Sequence, residues 1–182
     1  MRAADRGAPT ARRHVVLIGL SGAGKSTVGR LAAKTLGARF VDLDEDIARH
    51  ARRPIAVIFE RDGEAAFRAL ESGCARVAFA REPAVIAVGG GFVEDAAERA
   101  VARSAGLTVY LQVEPATAAA RLGGSGGRPL LHGPDPAALL AAQLERRRSA
   151  YLEADHVVAT DGVTADEVAR RVVSLAREHG GW

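Results

Sequence analysis

Apolar residues gather in five short runs separated by longer amphipathic stretches. The runs are "HVVLI" (14–18), "ARFVDL" (38–43), "AVIAV" (84–88), "LTVYLQV" (107–113) and "HVVAT" (156–160). Short apolar runs of this kind read as strands buried on both faces. The stretches between them have helical length and spacing. "KSTVGRLAAKTLG" closes on Gly37, and "EDAAERAVARSAG" closes on Gly106, the residue type that ends helices without steric penalty. The last stretch opens with Thr164-Ala-Asp-Glu167, a capping-box pattern. Its Val168, Val172 and Leu175 fall on one face. Strand and helix alternate, which predicts an α/β fold: a three-layer sandwich with a five-stranded parallel sheet. Ligands of such sheets bind at the carboxyl ends of the strands.

The first run leads directly into "GLSGAGKST", Gly19 to Thr27. The spacing Gly19-x-x-x-x-Gly24-Lys25-Ser26 is that of a phosphate-binding loop. Glycines let successive N–H groups curl onto an anion, and the following helix points its positive end at the same place. Gly22, Ala23, Gly24, Lys25, Ser26 and Thr27 are therefore candidate nucleotide contacts. Lys25 can reach the terminal phosphates, and the Ser26 hydroxyl can ligate magnesium. A turn that bound nothing would need neither the lysine nor the hydroxyls.

Other candidate chemistry follows later strands. In "VDLDED", Asp42 and Asp44 are two apart and would share one face of an extended strand. One carboxylate could hold magnesium and the other accept a proton. A solvated acidic cap for the next helix is the competing reading. Arg68 has Glu71 one turn further along a helix, as a brace or as an ordinary surface pair. Gly89, Gly90 and Gly91 form either a plain turn or a place of close backbone approach. Arg128 lies in "RLGGSGGRPLLHGPDP" (121–136), whose glycines and prolines predict a mobile loop. The triplet Arg146–Arg148 sits in a helix after it.

Composition narrows the picture. The 182 residues suit one domain, 14–182, behind a loose tail at 1–13. The net charge of +3 is mild, and no basic stripe is interleaved with aromatics. Nucleic acid is therefore not expected as a partner. No apolar run is long enough to cross a membrane. The single cysteine, Cys74, fits a reducing, cytoplasmic setting. Histidines at 14, 50, 132, 156 and 179 are scattered and form no metal-binding spacing.

The ordered set "GLSGAGKST", "FVDLDEDIA", "IFERDGEAAFRALE", "VGGG", "GGRPLL" and "RRRSAY" resembles the shikimate kinases, which are small P-loop kinases. The resemblance runs from His14 to about Thr160. It implies a fold of the P-loop kinase type with a mobile lid, and transfer of the ATP γ-phosphate to the 3-hydroxyl of shikimate. It implies Asp44 as the base that holds the acceptor hydroxyl, with Ser26 and Asp42 serving one Mg2+ ion. Arg68 and Arg147 would grip the substrate carboxylate, and Gly89, Gly90 and Gly91 would contact the ring. Arg147 is singled out because it stands four residues before Tyr151. Arg128 would reach the transferring phosphate from the lid, and Arg121 would cover adenine. Phe59 and Phe67 are either a wall for the ring or core. A monomer is expected. Two departures stand out: Glu45 directly follows Asp44, and no arginine occurs in "ATDGVT" after the last strand. A kinase for another polyol acid such as gluconate, and a non-catalytic kinase-like regulatory module, are the rival readings.

Overall fold

The computed structural model describes residues 11–123 and 135–182. Five parallel strands run in the order β2-β3-β1-β4-β5. They are β1 (His14–Ile18), β2 (Arg39–Asp42), β3 (Ala84–Ala87), β4 (Gly106–Gln112) and β5 (His156–Ala159). Each falls within one residue of an apolar run, and β2 stops at Asp42, one short of Leu43. β1 is central and every one of its residues is buried, as continuous apolar strands between two helix layers must be. Its register places Val16 beside Ile86 of β3 and Thr108 of β4.

Among the described residues seven α-helices surround the sheet: α1 (Lys25–Leu36), α2 (Leu43–Ala51), α3 (Ile55–Phe79), α4 (Ala96–Ala105), α5 (Pro115–Gly123), α6 (Pro136–Tyr151) and α7 (Ala165–His179). The expected stops at Gly37 and Gly106 and the capping box at Thr164 and Glu167 are all present. α3 is interrupted at Gly63, whose φ of 81° and ψ of 174° lie outside the helical range. The break divides α3 into a segment that carries Ile58 and one that carries Arg68 and Glu71, and both pack against Ile47 of α2.

Three sequence expectations change. Asp42 and Asp44 do not share a strand face: the strand ends at Asp42, which caps α2, and Asp44 lies in the first helical turn. An acidic residue just before a helix satisfies amide donors, and this local gain ends the strand early. The lid does not begin at Arg121 or end at Pro136, because Arg121 to Gly123 complete α5 and Pro136 opens α6. Ser125, Arg128 and His132 lie outside the described residues. The tail is not loose up to residue 13. The Arg13 amide donates to Gly180 O at 2.9 Å, and its guanidinium donates to Gly106 O at 2.8 Å. Trp182 Nε1 donates to Arg13 O at 2.9 Å, with Arg12 over the indole ring. A cation and an indole at the two ends of the fold thus extend the ordered chain.

Candidate functional site

At the carboxyl end of β1 the chain wraps around the Lys25 side chain. Lys25 is buried, and its Nζ donates to Gly19 O at 2.8 Å and to Leu20 O at 3.0 Å. These bonds close the loop back on the start of its own helix. Gly22 has φ 83°, and a Cβ there would meet Ala118 O at 2.6 Å. Neither the conformation nor the contact tolerates a side chain. Gly24 precedes α1 with no side-chain cap, and the first turn of α1 holds no acidic residue. The helix therefore presents amide donors and its positive end to an anion.

Beside this loop, Ser26 Oγ donates to Asp42 Oδ2 at 2.5 Å. The other oxygen of Asp42 accepts the Asp44 amide at 3.1 Å. One buried carboxylate thus ties the phosphate loop to the start of α2. Glu45 turns away from the site and pairs with exposed Arg30 at 2.5 Å.

The glycine run after β3 lies at a crossing point. A Cβ on Gly89 would stand 2.7 Å from Glu71 Oε1 and 3.1 Å from Asp44 Oδ1. Only a hydrogen at this position lets two carboxylates from α2 and α3 approach the same backbone. A Cβ on Gly91 would meet Arg68 Nη2 at 2.4 Å. At this run side chains from α2 and α3 come up against the backbone. Arg68 Nη1 donates to Glu71 Oε2 at 2.6 Å. Glu71 is buried, and burial pushes its carboxyl above the usual range, with Arg68 pulling the other way and Asp44 adding to the rise. The pair is thus not a surface decoration. Phe59 and Phe67 stack at 4.5 Å between centroids, and Phe67 joins Ile47 and Ile58 in a small core beneath α2 and α3.

Of the three neighbouring arginines only Arg147 is buried. Its Nε donates to Glu94 Oε1 at 2.5 Å, and its Nη1 donates to Gln143 Oε1 at 3.1 Å. Partial burial raises the Glu94 carboxyl, but the Arg147 hydrogen bond and the charges of Arg147, Arg146 and Arg68 outweigh it and leave it below the usual range. Tyr151, one helical turn on, donates its hydroxyl to Gly90 O at 2.7 Å and stacks on Tyr110 at 4.8 Å. Burial pushes its phenol well above the ordinary value. The sequence marked Tyr151 only as a landmark for Arg147, and nothing in it singled out Glu94.

On the far side of β1, Arg121 Nη2 donates to Thr160 O at 2.7 Å and Nη1 to Thr160 Oγ1 at 3.1 Å. Nη1 also lies 3.4 Å from Gly22 O. Arg121 thereby joins the end of β5 to the phosphate loop. Thr160 opens the "TDGVT" stretch that lacks an arginine. The structure brings Gly22 to Thr27, Asp42, Asp44, Arg68, Gly89 to Gly91, Arg121 and Arg147 to one end of the sheet; Arg128 lies outside the described residues.

A family model for shikimate kinase matches residues 21–177. The chain belongs to the shikimate kinase family. A shikimate kinase of Geobacter sulfurreducens is 41% identical to it, covering 94% of each chain. One of Moorella thermoacetica is 45% identical, covering 87% of this chain and 91% of the other. Among solved structures, shikimate kinase from Acinetobacter baumannii in complex with shikimate superposes with a TM-score of 0.88 at 33% identity, covering 93% of this chain and 95% of that one. Family membership makes the chain an ATP-dependent phosphotransferase with the P-loop kinase fold. The gluconate-kinase and regulatory-module readings give way to that of a shikimate kinase. No described helix is long and apolar enough to cross a membrane.

Proposed function

We propose that the residues gathered at this end of the sheet divide the shikimate kinase reaction as follows. The loop amides from Gly22 to Thr27, with Lys25, hold the β- and γ-phosphates of ATP. Asp44 accepts the proton of the shikimate 3-hydroxyl as that oxygen attacks the γ-phosphorus. The bond between phosphorus and the bridging oxygen breaks, leaving ADP and shikimate 3-phosphate. Arg68 and Arg147 bind the shikimate carboxylate, and Gly89 to Gly91 let the ring lie against the backbone. Arg121 holds the adenine side, and Arg128 is assigned to the transferring phosphate by its place in the family pattern alone.

The Ser26–Asp42 pair fits a magnesium site. It combines a hydroxyl and a buried carboxylate 2.5 Å apart at the mouth of the phosphate loop, and hard oxygen donors suit this ion. Bound there, Mg2+ would supply charge neutralisation for the phosphates. The chain's own part is to fix the two oxygens, which it does through the Asp42 cap on α2.

The observation that carries the reading is the meeting of Asp44 and Glu71 at Gly89 and of Arg68 at Gly91. An acid for the hydroxyl and a cation for the carboxylate are thereby set on one short backbone segment beside the phosphate loop. A cytoplasmic monomer is the form in which we expect the enzyme to work. Purified protein should form ADP from ATP and Mg2+ only when shikimate is present, and gluconate should not replace it. ADP formation at equal rate with and without shikimate would sink the proposal. The Lys25→Ala protein should be inactive while remaining folded.

A further inference from the structure

Both arginines assigned to the substrate carboxylate already hold a carboxylate of the chain itself, but on different terms. Glu71 lies three residues from Arg68 on the same helix, and its side chain is 5% exposed. It has nowhere to go. Glu94 comes from a different element, the single 3-10 turn Phe92–Glu94 that directly follows the glycine run, and its side chain is 35% exposed. A second cation, exposed Arg146, stands 3.5 Å from the same Oε1 atom. The Glu94 carboxylate thus has both an exit toward solvent and a partner waiting there.

The donor inventory of Arg147 sharpens the point. Nε is taken by Glu94, Nη1 donates to Gln143, and the Tyr151 hydroxyl also lies against the guanidinium. A guanidinium binds a carboxylate most firmly through two parallel N–H groups. The fork made by Nε and Nη2 is open to a substrate only after Glu94 leaves Nε.

We propose that Glu94 is a tethered competitor for the substrate: it occupies Arg147 in the empty site and moves over to Arg146 when the shikimate carboxylate arrives. The inference rests on the reading of Arg147 as a carboxylate ligand. An occupied arginine lowers apparent affinity by the fraction of molecules in which it is engaged. It also screens the site. A small anion that contacts Arg147 alone gains too little to displace Glu94, whereas shikimate adds its contacts at Arg68 and Asp44. Glu94 is in this sense a specificity-determining residue.

The test compares wild type with Glu94→Gln, Glu94→Asp and Arg147→Lys, measuring KM for shikimate and ATP, kcat, and inhibition by acetate. Glutamine keeps the size but removes the charge. Its shikimate KM should fall roughly two- to fivefold, the scale of a partly exposed ion pair that no longer has to be given up. ATP KM should not move, and acetate should become the stronger inhibitor. Methyl shikimate, lacking the charge, should gain nothing. Aspartate draws the carboxylate back by one methylene and should also lower KM, which keeps the test open if the glutamine variant fails to fold. A raised or unchanged shikimate KM in both Glu94 variants would overturn the proposal and make Glu94 a brace for Arg147. The Arg147→Lys arm separates the two levels. An unchanged shikimate KM there would mean that Arg147 is no carboxylate ligand, so the underlying reading fails. A raised KM there, without a fall in the Glu94 variants, defeats only the competitor role.

Discussion

Asp42 binds Ser26 with one carboxylate oxygen and the amide of Asp44 with the other. The proposed metal ligand therefore also places the proposed base. Asp42→Asn keeps an oxygen that can accept the Asp44 amide, so α2 should remain capped while the charge toward Mg2+ is lost. The expected result is a higher Mg2+ requirement with a melting temperature near wild type. Asp44→Asn should instead lower kcat by roughly 10²–10⁴, the usual contribution of a positioned base, with ATP-analogue affinity unchanged. Magnesium titrations of both variants beside an ATP-analogue binding curve check the division. An unchanged magnesium curve for Asp42→Asn counts against its metal role.

Gly91 and Arg68 make a second, steric test. A Cβ at Gly91 would come within 2.4 Å of Arg68 Nη2. Gly91→Ala should push the guanidinium aside and raise shikimate KM with little change in ATP KM. Arg68→Lys should do the same without a clash, because lysine keeps the charge but loses the fork. A loss of roughly 2–5 kcal/mol of shikimate binding is the scale for a severed charge pair of this kind. Equal binding of shikimate and its methyl ester by wild type would refute the clamp.

Tyr151→Phe should keep the stack on Tyr110 and remove only the hydroxyl that Gly90 O accepts. Leaving a carbonyl short of its partner costs about 1–3 kcal/mol where it is buried. Urea denaturation should show that loss, and shikimate KM should rise because the glycine run is less firmly held. A variant with wild-type stability and KM would make the hydroxyl dispensable.

Glu94 supplies a pH prediction. Its carboxyl lies below the usual range when folded, so its contribution to stability is present at neutral pH. That contribution is lost as pH falls through the lowered folded value. The groups that face it are Arg147, Arg146 and Arg68. Carbon-13 NMR of the side-chain carboxyl should place its midpoint below that of an ordinary glutamate. Arg147→Gln should move the midpoint up, and an unmoved midpoint would show that the pair is not formed in solution.

The strands and the phosphate loop were legible in the sequence because each is written locally, in continuous apolar runs and in a fixed glycine spacing. The sequence singles out Arg147 among three adjacent arginines only through its distance from Tyr151; burial, which separates it from Arg146 and Arg148, is a property of the packed fold. The shared strand face expected of Asp42 and Asp44 is absent because a helix cap competed with strand extension and won. Glu94 was invisible because its partner lies 53 residues away and no pattern links the two.

The strand order has a further consequence for how such an enzyme can change. β1 stands between β3, which ends at the glycine run, and β4, whose neighbour β5 ends at Thr160 beside Arg121. The residues we assign to adenine thus stand on one wing of the sheet, while those we assign to the acceptor span both, because Arg147 and Tyr151 reach from α6 to Glu94 and Gly90. On that assignment Arg68 can be altered without touching Arg121 and Thr160, whereas Arg147 belongs to α6, between β4 and β5. A change of alcohol, by selection or by a protein engineer, therefore has to draw on both wings, while the adenine side rests on one.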